Sequence, residues 1–123
     1  MNPIIDQFGT KRWYNSDGVI HRDNDLPAVI YANGTQYWYI NGKLHRDNDL
    51  PAIIFPNGTQ HWCINGELHR LYKPAIIYAD VRQEWFINGN NITEEVNDLI
   101  KEHDLPEWSE WREVHRILFR MRF

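Results

Sequence analysis

Asn41-Gly42-Lys43-Leu44-His45-Arg46 returns 24 residues later as Asn65-Gly66-Glu67-Leu68-His69-Arg70, and nothing else in the chain limits its fold so sharply. Asp17-Gly18-Val19-Ile20-His21-Arg22 is a looser, earlier version, and Asn88-Gly89 opens a last one that stops short. The histidines are spaced by 24 and 24, and Trp13, Trp38, Trp62 and Trp85 by 25, 24 and 23. A fixed period in the twenties marks a repeat architecture, in which each unit buries its apolar side only against its neighbours.

Within a unit, Pro27 precedes a short apolar run, Ala28 to Ala32, and Asn33-Gly34. A second run, Thr35 to Ile40, leads to Asn41-Gly42. Short β-branched and aromatic runs parted by Asn-Gly predict hairpins with type I′ turns, because both central residues need positive φ. Pro3, Pro27, Pro51 and Pro74 each open a first strand, where a missing N–H costs little. The expected fold is mainly β: an antiparallel hairpin meander of about four units of ~24 residues over 1–92, with two strands and a His-Arg arm per unit. Alternation puts Gln36, Trp38 and Ile40 on one face, expected to be the core. Arg12, Tyr37, His61 and Glu84 share a position on the opposite face, followed by Tyr14, Tyr39, Cys63 and Phe86. Positions that vary while the frame stays fixed are where repeat proteins meet partners. Cys63, the only cysteine, falls in an aromatic register and reads as packing.

Beyond Asn91 the period becomes helical. Thr93 is expected to cap a helix opened by Glu94-Glu95, with Val96, Leu99, Ile100 and His103 on one stripe. Asp104-Leu105-Pro106-Glu107 offers a second start, with Trp108, Trp111, Val114, Leu118 and Met121 on its apolar face. Residues 93–123 are thus expected to form a two-helix cap within the same domain, closing one end of the sheet.

The net charge of −4 is unevenly spread: 94–110 carries a local −6 and 111–123 a local +3. A globally acidic chain is a poor general binder of nucleic acid, although a basic tail acts locally. No internal disulfide is possible, no charged-then-apolar leader opens the chain, and no run approaches membrane-spanning length. A reducing, cytoplasmic location is expected, with no membrane association.

The unit Pro-Ala-Ile-Ile-Tyr/Phe-x-Asn-Gly-Thr-Gln-x-Trp-x-Ile-Asn-Gly-x-Leu-His-Arg resembles the MORN-like variant repeats of phage, giant-virus and bacterial accessory proteins. It departs from ordinary MORN repeats, which are richer in Tyr-x-Gly and lack this His-Arg. The resemblance covers roughly 1–92 and implies a single-layer hairpin array used for binding, without catalytic residues. It also implies a small inhibitor or modulator of a host factor, for which an RNA-guided (CRISPR) defence nuclease is the best single example. The helical tail lies outside it.

His-Arg-Asp at 21–23 and 45–47 has Ala28 and Ala52 where a kinase catalytic loop needs an asparagine five residues after the aspartate, and no phosphate-covering glycine loop is present. Equivalent histidines two strands apart stand roughly 10 Å from each other, too far to share a zinc ion. The Asp-Asn-Asp triplets at 23–25 and 47–49 lack the glycine and distal glutamate of a calcium loop. No catalytic residue, metal ligand or cofactor is therefore assigned. Each His-Arg arm reads first as an internal clasp, imidazole N–H to backbone and arginine to an aspartate or a strand-end carbonyl. The rival reading turns Arg22, Arg46 and Arg70 outward as a cation ladder for RNA or DNA, with Tyr31, Tyr37, Tyr39 and Tyr78 as stacking platforms. Arg112, Arg116 and Arg120 at i, i+4, i+8 form the better cationic stripe; its bland reading pairs Arg116 with Glu113 and Arg112 with acids of the first helix. The leading expectation is a non-enzymatic binder of a host protein or ribonucleoprotein through Tyr37, Tyr39, His61 and the Arg112, Arg116, Arg120 stripe. Direct RNA or DNA binding and a purely structural scaffold are the alternatives, and oligomeric state stays open.

Overall fold

A computed structural model describes residues 2–123. The strands are β1 (Ile4–Ile5), β2 (Lys11–Arg12), β3 (Val29–Ile30), β4 (Gln36–Tyr37), β5 (Tyr39–Ile40), β6 (Lys43–Leu44) and β7 (Ile53–Ile54). They continue as β8 (Gln60–His61), β9 (Cys63–Ile64), β10 (Glu67–Leu68), β11 (Ile76–Ile77), β12 (Gln83–Glu84), β13 (Phe86–Ile87) and β14 (Asn90–Asn91). Helix α1 (Thr93–His103), a 3-10 turn (Trp108–Glu110) and helix α2 (Glu113–Arg122) complete the chain. An eight-stranded antiparallel meander runs β1-β2-β3-β4-β7-β8-β11-β12, and β5-β6, β9-β10 and β13-β14 are separate hairpins beside it.

The mainly β meander with a C-terminal two-helix cap is therefore as expected, but each full unit holds four short strands rather than two. The tryptophan divides the second run. Trp38 lies between β4 and β5, where its amide donates to Ala52 O and its carbonyl accepts from His45 N–H. Trp62 repeats this with Ala75 and His69. Beyond the tryptophan the chain enters the side hairpin, and neighbouring side hairpins are joined by backbone bonds such as Arg46 N–H to Cys63 O and Gly66 N–H to Leu44 O.

The turns sort into two kinds. Asn41-Gly42, Asn65-Gly66 and Asn88-Gly89 have positive φ at both residues, 48° and 83° in the first, as a type I′ turn requires. Asn33-Gly34 and Asn57-Gly58 do not: only the glycine is left-handed, and the asparagine Oδ1 accepts the N–H of Thr35 or Thr59 at 2.9 Å. That local bond makes a wider loop, closed by Tyr31 N–H to Thr35 O. In the next unit Val81 takes the place of that glycine at φ 65°, although it is β-branched.

Trp13, Trp38, Trp62 and Trp85 are all buried, as are Ala28, Ala52 and Ala75 at 0% exposure. Ile40, expected in the same core, is exposed, because the strand breaks at Trp38 and the alternation does not carry past it. The last unit has no successor, so Trp85 N–H finds the Thr93 hydroxyl at 2.9 Å instead of an alanine carbonyl. Thr93 is thus spent on the sheet and does not cap α1, whose N-cap position is Ile92.

Against that end pack Val96 and Leu99 of α1, Trp111, and Phe119 of α2, forming one cluster with Trp85. His103 is exposed, off the expected stripe. The second helix also starts later than expected. Asp104 turns left-handed (φ 49°) to end α1, and Trp111 precedes α2, its indole N–H held by Pro106 O at 2.9 Å. Phe119, not Val114, Leu118 or Met121, is the buried residue of α2, because its ring meets Trp85, Trp111 and Tyr72 within 6 Å or less. Val114 and Met121 are exposed.

Candidate partner-binding face

Residues directly opposite each other in antiparallel strands share a face. Ile4, Arg12, Val29, Tyr37, Ile53, His61, Ile76 and Glu84 stand opposite one another across the whole sheet. Val29, Ile53 and Ile76 of that row are buried, whereas Arg12, Tyr37, His61 and Glu84 are half-buried. The face that alternation assigned to a partner therefore has buried apolar residues of its own between its variable ones.

Each of those variable residues is paired with the residue six before it. Arg12 Nη1 donates to Asp6 Oδ2 at 2.9 Å. Tyr37 meets the edge of Tyr31 at 5.3 Å between centroids. His61 meets Phe55 in the same way at 5.2 Å. Tyr78 donates its hydroxyl proton to Glu84 Oε2 at 2.6 Å. One structural position thus carries an ion pair, two aromatic pairs and a phenol–carboxylate bond in successive units. All eight side chains belong to half-buried residues, so this is a row of contacts with one side still open.

Tyr39 extends the row, its ring 6.2 Å from that of Tyr37 and nearly parallel to it. Burial pushes both phenols above their ordinary pKa and pushes the His61 imidazole below its own, against the pull of Glu84. Cys63 is buried, its thiol pushed up to about 11 by desolvation, as a packing residue would be. Sequence reading named Tyr31 and Tyr78 only as stacking platforms and missed Phe55; the six-residue spacing to Tyr37, His61 and Glu84 was the available signal.

The arms form a second constellation. His21 and His45 Nδ1 accept the backbone N–H of Asn41 and Asn65 at 2.9 and 3.1 Å. The ring accepts here, rather than donating as expected, which leaves the proton on Nε2 facing Asp23 or Asp47 Oδ1 at 2.7 Å. Arg22, Arg46 and Arg70 lie over Trp13, Trp38 and Trp62 at 3.7, 3.9 and 3.8 Å from the ring centroid. Each donates Nη1 to the carbonyl of Pro27, Pro51 or Pro74 at 3.1 Å. Arg46 further clasps Asp25, and Arg70 clasps Asp49, through Nε and Nη2. Those bonds from Arg46 hold the Asp25 carboxyl below its ordinary pKa. For Asp49, burial raises the pKa, but bonds from Arg70 and Lys73 outweigh it and leave the carboxyl low. The guanidinium donors of Arg46 and Arg70 are thus directed inward. The tryptophan eight or nine residues before each arginine was the sequence signal for that stacking.

The C-terminal stripe is differently arranged from its expected pairings. Arg112 precedes α2 and is exposed. Glu113 pairs with Arg120 at 2.8 Å rather than with Arg116, and Arg122, not Arg112, reaches the first helix, at Glu102 (3.2 Å). Arg116 is half-buried near Tyr72, its Nε without a hydrogen-bond partner among the described residues. Also among the described residues, no three His, Cys, Asp or Glu side chains converge on a possible metal position. Among the described residues, no helix is long and apolar enough to cross a membrane.

No protein-family profile matches the chain, and no curated protein or solved structure matches it either.

Proposed function

We propose that the protein is a non-enzymatic repeat scaffold that binds another macromolecule, a protein or ribonucleoprotein, through the row containing Tyr37, Tyr39 and His61. The observation that carries this reading is the pair six residues apart whose chemistry changes from unit to unit while the tryptophan between them and the next hairpin stays constant. Half-buried tyrosines offer large contact area at low entropic cost, the property that concentrates them in interfaces. The resemblance to MORN-like variant repeats supports the same reading. It extends it to a phage-type accessory protein that modulates a host factor in the host cytoplasm, with an RNA-guided defence nuclease as the first partner to try.

Direct RNA or DNA binding is the second reading, favoured by the exposed Arg112 and the local charge of +3 over 111–123. Affinity capture from host lysate, with and without nuclease, separates the two. A stoichiometric protein that survives nuclease and is lost with Tyr37→Ala plus Tyr39→Ala supports the first. Capture that collapses with nuclease, fades with log salt and fails on Arg112→Glu, Arg116→Glu and Arg120→Glu supports the second.

A further inference from the structure

The two ends of the array are unlike. Helices close one, while the other exposes Ile4, Ile5 and Phe8 beside edge strand β1. At that open end the first Trp–Arg platform is incomplete. In the second platform Asp25 supplies two groups: its carbonyl accepts Trp38 Nε1–H at 3.1 Å, and its carboxylate accepts Arg46 Nε and Nη2 at 2.8 and 3.3 Å. In the third, Asp49 does the same for Trp62 and Arg70, at 3.1, 2.8 and 3.2 Å. Asp25 and Asp49 both come from an Asp-Asn-Asp-Leu-Pro arm and both hold φ 56°.

Trp13 and Arg22 form the same stack, at 3.7 Å, and Arg22 Nη1 is likewise anchored on Pro27 O. Among the described residues, neither the Trp13 indole N–H nor Arg22 Nε and Nη2 has an acceptor. A groove of ≈ 260 Å³ opens there, lined by Trp13, Tyr14, His21, Arg22, Asp23, Asn24 and Leu26, with the Asp23 carboxylate taken by the His21 ring at 2.7 Å. The guanidinium is fixed by stacking and by one carbonyl, so its remaining fork is preorganised for a carboxylate.

We propose that the Trp13–Arg22 platform is a binding site for an aspartate-bearing turn of a protein partner, of the Asp-Asn-Asp-Leu-Pro kind that fills the next two platforms. The carboxylate takes Arg22 Nε and Nη2, and the same residue's carbonyl takes the Trp13 indole proton. The exposed β1 edge alongside is open to an extended segment of the same partner. This site is separate from the Tyr37 row, and neither proposal depends on the other.

The test is an NMR titration of the full chain, following tryptophan Nε1–H and arginine Nε–H resonances, with the peptide acetyl-Asp-Asn-Asp-Leu-Pro-Ala-amide at millimolar concentration. A control peptide carries asparagine in place of the second aspartate. Saturable shifts confined to Trp13 and Arg22, at least about tenfold weaker with the control peptide, are expected. Arg22→Gln abolishes them while the Trp38 and Trp62 signals stay in place. Shifts that are absent, equal for both peptides, or spread evenly over all tryptophans overturn the site. Should Arg22→Gln disturb the fold, Arg22→Lys and the control peptide on the unaltered chain decide the matter. Trp13 shifts that follow protein concentration without peptide overturn the partner assignment in favour of a second copy.

Discussion

Replacing Asp49 by asparagine removes one charge from the most heavily engaged clasp and leaves its shape intact. Arg70 is nearly covered, its side chain 9% exposed, whereas Asp49 is 46% exposed, so solvent screens part of the attraction. The forked bond to Arg70 sits at the low end of charged hydrogen bonds, ~1.5 kcal/mol, and the more open Lys73 contact adds ~0.5 kcal/mol. Asp49→Asn therefore lowers stability by about 2 kcal/mol, a fall of roughly 8 °C in Tm for a chain of this size. Asp25→Asn loses the equivalent fork to Arg46 with no lysine, and costs less. Asp47→Asn, which touches only the His45 ring, is close to neutral. Thermal unfolding followed by circular dichroism at moderate salt measures all three. A Tm for Asp49→Asn within a degree of the parent, or an order with Asp25→Asn or Asp47→Asn at the top, refutes the clasp as a source of stability.

Val81→Gly is expected to stabilise, since Val81 is exposed, left-handed and in register with Gly34 and Gly58; the gain is ~0.5–1 kcal/mol after the entropy of glycine, read as a raised denaturation midpoint. Thr93→Val leaves the buried Trp85 amide without an acceptor and costs about 1–3 kcal/mol, whereas Thr93→Ser restores most of it in the same assay. His61 has a folded pKa below its ordinary 6.5, so the unfolded chain takes up the proton first. Its contribution is intact above pH 6.5 and is lost as pH falls from there through the folded pKa. Tm measured from pH 7.5 down to 5 falls less steeply in His61→Phe than in the parent.

The hairpin repeat was legible because Asn-Gly, tryptophan and His-Arg are each local signals repeated at one interval. The four-strand unit was not, because an unbroken stretch such as Gln36 to Ile40 alternates correctly whether or not the chain turns at Trp38. Asn33-Gly34 and Asn41-Gly42 are the same dipeptide, and only the Thr35 amide, taken by Asn33 Oδ1, sends the first into a different turn. Thr93 reads as a helix cap until the position after the last tryptophan is counted, since only the missing next unit calls for its hydroxyl. The start of α2 was misread because Asp104 ends α1 in a left-handed turn instead of opening a new helix. At the candidate face, Tyr37, Tyr39 and His61 were found by variation against a constant frame. Their partners were missed because pairing across a hairpin loop follows from register.

The bond from Trp85 to Thr93 also makes the length of the protein adjustable. Every tryptophan amide from Trp13 to Trp62 meets an alanine carbonyl of the following unit, and the last meets a single hydroxyl. The terminator thus reads the tryptophan beside it and not the number of units before it. Excising residues 42–65, one period of 24, would join Asn41 to Gly66 and recreate an Asn-Gly turn with the ending untouched. Duplicating the same stretch would lengthen the array by one module. A lineage carrying this ending could change its reach by unequal recombination, without evolving a new stop each time.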